Sequence, residues 1–434
     1  MHTKRFSIPD PIAGKIEFPE WLVNIKDEPA VRRMLTIRQL GLKAYIDFPG
    51  AIHTRYSHVL GAMHLAGKVV DILDEILRDD GKRRIAENLK ESRTDLMAAG
   101  FLHDIAHGPF SHAVDYPLQV ISGTNHEELA AVMIREHLPK DLSNWIDTEK
   151  VIKIIQGKHD YPFISQIING QLDVDKLDYL LRDAHHVGLK YSFDLESFLS
   201  HYTVIGEESE LTKCSLGLED TLQATVTAEL FLVIWKSMYD LVYHAQNSRI
   251  AEKMLEKSVL LGQTEEKLKT AFTLEYLKLD DEGLIEILRS LQGPSSDLAN
   301  RAISNQLFKL EIDKKLTTEK FEMTEQFIAE ATDSKNVARV SDNLSLKLNE
   351  KFQLKNYQLI CDIVTSKSPQ DIELDSSNGE EEEKNTLRAR STIVGHLTKR
   401  SRIKVYQDGM SSKQIKEKDI DTILKEAIEE EAES

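Results

Sequence analysis

The chain has 434 residues, enough for two or three domains, and its 41% hydrophobic and 29% charged content with only 20 Gly and 11 Pro excludes a fibrous or disordered protein and favours long helices. Fifty-five Lys and Arg against 72 Asp and Glu leave a net charge of −17, which argues against a protein that coats nucleic acid or anionic membrane, so an anionic substrate needs a local positive pocket. Two distant cysteines, Cys214 and Cys361, support neither a disulfide framework nor a thiolate zinc site; no apolar leader or membrane span is evident, so the expected address is the cytoplasm.

Turn signals at Pro9, Pro11, Gly14, Pro29, Gly41, Pro49 and Gly50 predict loops, a short strand or two and one helix near 28–40. From Thr54 the spacing becomes helical, with Val59, Leu60, Met63, Ala66, Val69, Val70, Leu73, Ile76 and Leu77 on one buried face. A second helix is expected from Arg93 to the Gly108-Pro109 stop, and others at 125–137, 149–155, 163–169, 173–184 and 219–258. Further helical patterns cover 264–276, 281–292, 296–311 and 319–331. Beyond them β-branched residues cluster at 336–365 and 386–407 around an acidic loop at 368–385, and an acidic amphipathic helix ends the chain. The expected fold is mainly α: a core over 1–250, a helical extension over 251–335 and a small α+β region over 336–434. The basic residues Arg388, Arg390, Lys399, Arg400, Arg402 and Lys404 suit an edge strand protected by charge better than a nucleic-acid surface.

The 15 histidines are unevenly spread: His53, His58 and His64, then His103, His107 and His112, then His126, then His185 and His186. A lone histidine is usually a satisfied core or surface residue. His103-Asp104 with His107 four residues after His103, however, predicts two imidazoles on one helical face beside a carboxylate, in a helix flanked by the apolar run MAAGFL, where burying them is costly unless they bind something. Imidazole with carboxylate suits Zn²⁺, Mn²⁺, Fe²⁺ or Ni²⁺. His58 and one of Asp173, Asp175, Asp178 or Asp183 can complete the ligand set, and Lys176, Tyr179 and Arg182 interleave donors for a phosphate.

The segments RYSHVLG (55–61), FLHDIAHGPFSH (101–112), NHEE (125–128) and DVDKLDYLLRDAHHVG (173–188), with DPIAGKIE (10–17), RQLG (38–41) and FPGAIHTR (48–55) before them, resemble the HD-domain phosphohydrolases, most closely the deoxynucleoside triphosphate triphosphohydrolase branch. The resemblance implies His58, His103, Asp104 and Asp175 as ligands of a divalent metal (Mn, Fe, Zn, Ni or Mg), with a further Mg arriving on a nucleotide. It implies Arg55, His107 and His112 around the α-phosphate, His126 as catalytic acid or base, and Asp115 and Glu127 orienting the imidazoles. Lys176, Tyr179, Asp183 and Tyr243 match positions that hold triphosphate and sugar, and Gln39 and Leu40 a pair that reads the deoxyribose.

The chain departs from that pattern at Trp235, where the family places an arginine on the terminal phosphate, with Lys236 beside it. The residues matching a guanine-nucleotide activator site read Phe6, Ser7, Pro9, Arg32 and Leu35, with Asp27 alone retained, so no activation by that route is expected. Nor is a separate SAM domain, since nine residues precede Asp10. Three functions fit: hydrolysis of a deoxynucleoside triphosphate, hydrolysis of another phosphate ester such as a monophosphate or a cyclic or oligonucleotide diester, and nucleotide sensing without turnover. A homo-oligomer is expected by analogy, and no membrane partner.

Overall fold

In the computed structural model, which describes residues 6–191, 193–317, 329, 332–333, 336–366, 371–375, 386–397, 399–409 and 414–433, the apolar spacing after Thr54 becomes one long helix, α4 (Arg55–Asp79). Before it come an antiparallel hairpin, β1 (Ser7–Asp10) and β2 (Gly14–Glu17), and the short helices α1 (Glu20–Ile25), α2 (Pro29–Arg32) and α3 (Lys43–Ile46). The single helix expected near 28–40 is thus broken, and a 3₁₀ turn at Arg33–Leu35 follows α2. Tertiary contacts override local propensity there, because Arg33 is drawn inward to the carbonyls of Tyr276 and His107.

After α4 follow α5 (Arg83–Glu91), α6 (Arg93–Leu102), α7 (Asp115–Ser122), α8 (His126–Glu136), α9 (Thr148–Ile155), α10 (Pro162–Gln166), α11 (Val174–Val187) and α12 (Leu195–Leu199). Helix α6 lies against α4 at Gly100, where a Cβ would stand 3.0 Å from the Ala62 carbonyl oxygen. Asp173 starts α11 by accepting the Lys176 backbone N–H at 2.8 Å. The strands β3 (Tyr202–Ile205) and β4 (Ser215–Glu219) lead into α13 (Leu222–Met238) and α14 (Gln246–Leu261). The one helix expected over 219–258 is interrupted by a widened π turn at Tyr239–Tyr243, a distortion that tends to accompany functional sites.

The remainder holds α15 (Glu266–Thr273), α16 (Asp281–Ser290), α17 (Pro294–Ile303), β5 (Lys309–Lys315), α18 (Val337–Lys351), β6 (Leu359–Ser366), β7 (Leu374–Asp375), α19 (Leu387–Arg390), α20 (Thr392–Gly395), β8 (Arg400–Gln407) and α21 (Glu417–Glu433). The helix expected over 296–311 ends at Ile303, and β5 replaces its last turn, since Ile312 and Lys314 alternate inward with period two. The pattern at 319–331 lies outside the described residues except for Ala329, and of the acidic loop only 371–375 is described. Strands β5, β8 and β6 form an antiparallel sheet with β8 in the middle. The basic residues Arg400, Arg402 and Lys404 therefore sit on a central strand rather than an edge, where Arg402 pairs with Asp313.

Strand β7 pairs in parallel with β4, and Ile372, Leu374, Leu387 and Val394 join the core built on α4, which ties the C-terminal region to the first half. Among the described residues no helix is long and apolar enough to cross a membrane.

Candidate functional site

Three segments converge: the start of α4, the turn after α6 and the first turns of α11. His58 Nε2 lies 3.0 Å from Asp175 Oδ1, 3.4 Å from His103 Nε2 and 3.7 Å from Asp104 Oδ2. His103 Nε2 lies 3.4 Å from both Asp175 Oδ1 and Asp104 Oδ1. Donors ~2.0–2.2 Å from one divalent ion stand about 3.0–3.6 Å apart for angles between square and tetrahedral, so His58, His103 and Asp175 could hold a common ion, with Asp104 beside them.

Their other atoms are committed in the sense such a centre requires. His103 Nδ1 donates to the Gly100 carbonyl at 3.0 Å and His58 Nδ1 to Asp178 Oδ2 at 2.9 Å, which turns both Nε2 lone pairs toward the shared point. Burial by itself would depress His58, but hydrogen bonds to Asp175 and Asp178 overcome it and raise it to about 10. Asp175 and Asp104, despite burial that favours their neutral forms, are held well below the usual carboxylate range, the first by His103 and His58, the second by Arg55 and His103. An ion entering this centre takes the place of that proton.

Behind His58 runs a buried relay that sequence reasoning did not assemble. Arg182 donates to both oxygens of Asp178 at 2.8 Å and to Asp10 at 2.7 and 3.2 Å. Asp10 meanwhile closes the β1–β2 turn by accepting the Ile12 and Ala13 N–H groups. Asp178 was one of four candidate ligands; it braces His58 instead, and Asp173 caps α11. Replacing Asp178 with Asn is expected to weaken metal affinity about 10- to 100-fold while leaving the ligands in place, as titration with a divalent ion would read. Gly61 makes room for the relay, since a Cβ there would fall 1.8 Å from Asp178 Oδ1 and 2.4 Å from Arg182 Nη2. Gly61→Ala is expected to cost roughly 1–3 kcal/mol in denaturant unfolding by overpacking.

Helix α6 ends at Leu102, so His103 and His107 do not share the helical face their spacing suggests. They meet through a turn, 103–108, held from outside: Arg33 donates to the His107 carbonyl at 2.9 and 2.6 Å and the Tyr276 hydroxyl to the Ala106 carbonyl at 3.1 Å. The next residues, Phe110 and Ser111, take positive φ of 56° and 55°, a conformation costly outside glycine. Asp281 pins them by accepting the Phe110 N–H at 2.7 Å and the Arg38 N–H at 3.0 Å.

A second group lies beside the first. His107 Nε2 is 3.2 Å from Asp104 Oδ1, and its ring stacks on His126 at 4.4 Å. Burial and the Arg55 charge push His107 down to about 3, so it is neutral near neutral pH. Asp115 meets His112 Nδ1 at 2.9 Å and faces His126 Nδ1 at 3.5 Å. His112 is 75% exposed, whereas Glu127 is exposed on the first turn of α8 and, among the described residues, bonds to none of these rings. Of the two carboxylates, Asp115 is the one that faces the imidazoles.

Arg55, 3% exposed, pairs with Asp104 and donates to Ser111 Oγ at 3.1 Å. The Lys176 ammonium donates to the Gly170 carbonyl at 2.7 Å and to Asp173. Asp183 is already shared, accepting from the Tyr243 hydroxyl at 2.8 Å and meeting His53 Nε2 at 2.7 Å. Tyr179 stands between His58 and Tyr243, at ring separations of 6.4 and 5.9 Å. Leu40 is buried and Gln39 Oε1 is a buried acceptor without a hydrogen-bond partner. Trp235 is 3% exposed, packs on Tyr239 at 4.7 Å and leaves its Nε1 without an acceptor, while Lys236 turns to Asp240.

The HD domain family matches residues 55–183 and the HD associated region matches residues 218–432. The chain is similar to the deoxynucleoside triphosphate triphosphohydrolase SAMHD1 homolog of Dictyostelium discoideum, 26% identical over 386 residues that cover 80% of this chain and 69% of that protein. It is similar to deoxynucleoside triphosphate triphosphohydrolase SAMHD1 of Bos taurus, 29% identical over 418 residues, with 85% and 64% covered. An uncharacterized protein of Methanocaldococcus jannaschii is 32% identical over 284 residues, with 65% and 54% covered. The matches thus span between about half and two thirds of these relatives' own lengths.

Proposed function

For a chain that carries an HD domain followed by an HD associated region, we propose a metal-dependent phosphohydrolase acting on nucleotide phosphate esters. The reaction it fits best converts a deoxynucleoside triphosphate and water into a deoxynucleoside and triphosphate. The observation that carries this reading is the convergence of His58, His103, Asp104 and Asp175 at 3.0–3.7 Å beside the stacked pair His107 and His126. The names of the Dictyostelium and cattle relatives support a deoxynucleoside triphosphate as substrate.

When bound, a divalent ion supplies a Lewis acid for the phosphate and lowers the pKa of water near it. The chain's own groups do the rest. Arg55 keeps Asp104 ionised and offers its remaining guanidinium N–H to a phosphate oxygen, and Lys176 adds a second positive charge as negative charge grows on the departing phosphates. Water oxygen bonds to the α-phosphorus and releases a proton to solvent, the bond from phosphorus to the 5′-oxygen breaks, and the proton that oxygen needs comes from His126 Nε2, which solvent then reprotonates. Asp115, facing Nδ1, steadies the ring and the charge on it. His107, neutral and stacked, keeps water off that ring's face. Tyr243 and Asp183 bound the sugar side.

A second reading rests on Trp235. With an indole where a cation on the terminal phosphate is expected, and Lys236 turned to Asp240, a shorter phosphate ester is held about as well as a triphosphate. Incubating the metal-loaded chain with each deoxynucleoside triphosphate, with monophosphates and with a generic phosphodiester separates the two. Release of inorganic triphosphate supports the first and release of orthophosphate or a cleaved diester the second; nucleotide binding without turnover under every divalent metal contradicts both.

A further inference from the structure

Helix α16 meets the candidate site at Asp281. Its apolar face, Leu284, Ile285 and Leu288, is packed in a core that also takes Phe110, so the helix is a firm platform for the side chain on its first turn. Asp281, 2% exposed, accepts the Phe110 N–H on one carboxylate oxygen at 2.7 Å and the Arg38 N–H on the other at 3.0 Å. The Arg38 guanidinium lies over the Tyr45 ring at 4.3 Å, so what Asp281 holds is the backbone of that residue and not its charge. Ser111 joins the same two segments a second time. Its hydroxyl donates between the carbonyls of Arg38 and Gln39, at 3.1 and 3.3 Å, and accepts from Arg55 Nε at 3.1 Å. Burial pushes the Asp281 carboxyl up to about 6, so its ionised form weakens the folded state, and what it does in return is place two loops.

Those loops carry an unanswered acceptor. Gln39 Oε1 is buried without a hydrogen-bond partner, a state that is unfavourable until a ligand brings a donor. Phosphate oxygens are acceptors and cannot serve it. Beside the Arg55 guanidinium, to which Ser111 ties this loop, the donor that a nucleotide brings next to its phosphate is a sugar hydroxyl. We propose that Asp281 is a positioning residue for nucleotide recognition: by holding the Arg38 and Phe110 amides on one carboxylate, it sets Gln39 Oε1 as the acceptor of a sugar hydroxyl at a fixed distance from the phosphate pocket, a role that rests on the site taking a nucleotide. Asp281 lies within the HD associated region, which thereby shares in the site of the HD domain. Phe110 and Ser111 take left-handed φ of 56° and 55°, a conformation that persists only where the surroundings enforce it, so the loss of one amide acceptor lets this turn and the Gln39 loop drift apart.

Calorimetric titration of the metal-loaded full chain reads this directly. The probes are 2′-deoxynucleoside triphosphate and monophosphate analogues in which CH₂ replaces the 5′-oxygen, so that they resist cleavage, each with and without the 3′-hydroxyl. In the wild type the hydroxyl is expected to tighten binding about 10-fold, the size of one hydrogen bond to an otherwise unpaired buried acceptor. Asp281→Asn, which leaves one of the two amides without its acceptor, and Gln39→Ala are each expected to reduce that ratio to about 1–2, and combining them is expected to change it no further. Leu288→Ala, which removes core packing behind the same helix, is expected to lower the unfolding midpoint and keep the ratio. Where Asp281→Asn fails to fold, Ser111→Ala cuts the same two loops apart and is expected to lose the ratio in its place. A wild type indifferent to the hydroxyl, a ratio kept in the folded loop variant, or a ratio lost equally in Leu288→Ala overturns the role of Asp281 and leaves the phosphohydrolase reading standing; a wild type that binds none of the analogues overturns both.

Discussion

Replacing His103 and Asp104 together by alanine is expected to eliminate divalent-metal uptake and to lower turnover more than about 1,000-fold, since it removes half of the four converging ligands and with them the Lewis acid. The folded state should also weaken. Arg55 is 3% exposed and paired with Asp104, and stranding a buried guanidinium costs about 3–5 kcal/mol. Asp104→Asn separates the two effects: it keeps an acceptor for Arg55 and removes the carboxylate that faces His58 and His103. Metal analysis, turnover and circular dichroism on both variants check this. Metal content at the wild-type level in the double variant would place the ion elsewhere.

His126→Ala should behave in the opposite way toward the metal. Its ring is 29% exposed and reaches Asp115 rather than any of the four ligands, so the ion is expected to bind as in the wild type. Turnover is expected to fall roughly 100- to 10,000-fold, the usual loss when a positioned acid is removed, with KM little changed. The comparison carries a built-in control, because His107 stacks on His126 at 4.4 Å but is held neutral by burial and Arg55. Full activity in a metal-loaded His126→Ala protein would transfer the acid role to another group.

His58, His103 and Asp104 stand out in the sequence as imidazoles and a carboxylate against apolar surroundings, whereas the aspartate of α11 is one of four until the family resemblance singles out Asp175. What brings them together is not legible there. The i, i+4 spacing of His103 and His107 suggests a helix to Gly108, yet α6 stops at Leu102 and the turn beyond it is shaped by Arg33, Tyr276 and Asp281, groups far away in the chain whose local sequence carries no sign of the task. The Asp10, Arg182 and Asp178 relay was hidden for the same reason: each residue sits in a recognisable motif, but their contact joins positions 172 residues apart. The end of the chain was harder still. Strand β5 was read as the end of a helix, and β8, basic enough to suggest an edge, is the middle of its sheet, where pairing with β5 and β6 decides its place.

The decisive measurement is turnover of a deoxynucleoside triphosphate in ¹⁸O-labelled water. The metal-loaded chain is expected to release deoxynucleoside and inorganic triphosphate, with one ¹⁸O atom in the triphosphate and none in the deoxynucleoside, and a chelator is expected to stop the reaction. No turnover with any divalent metal, or label found in the deoxynucleoside hydroxyl, would contradict it.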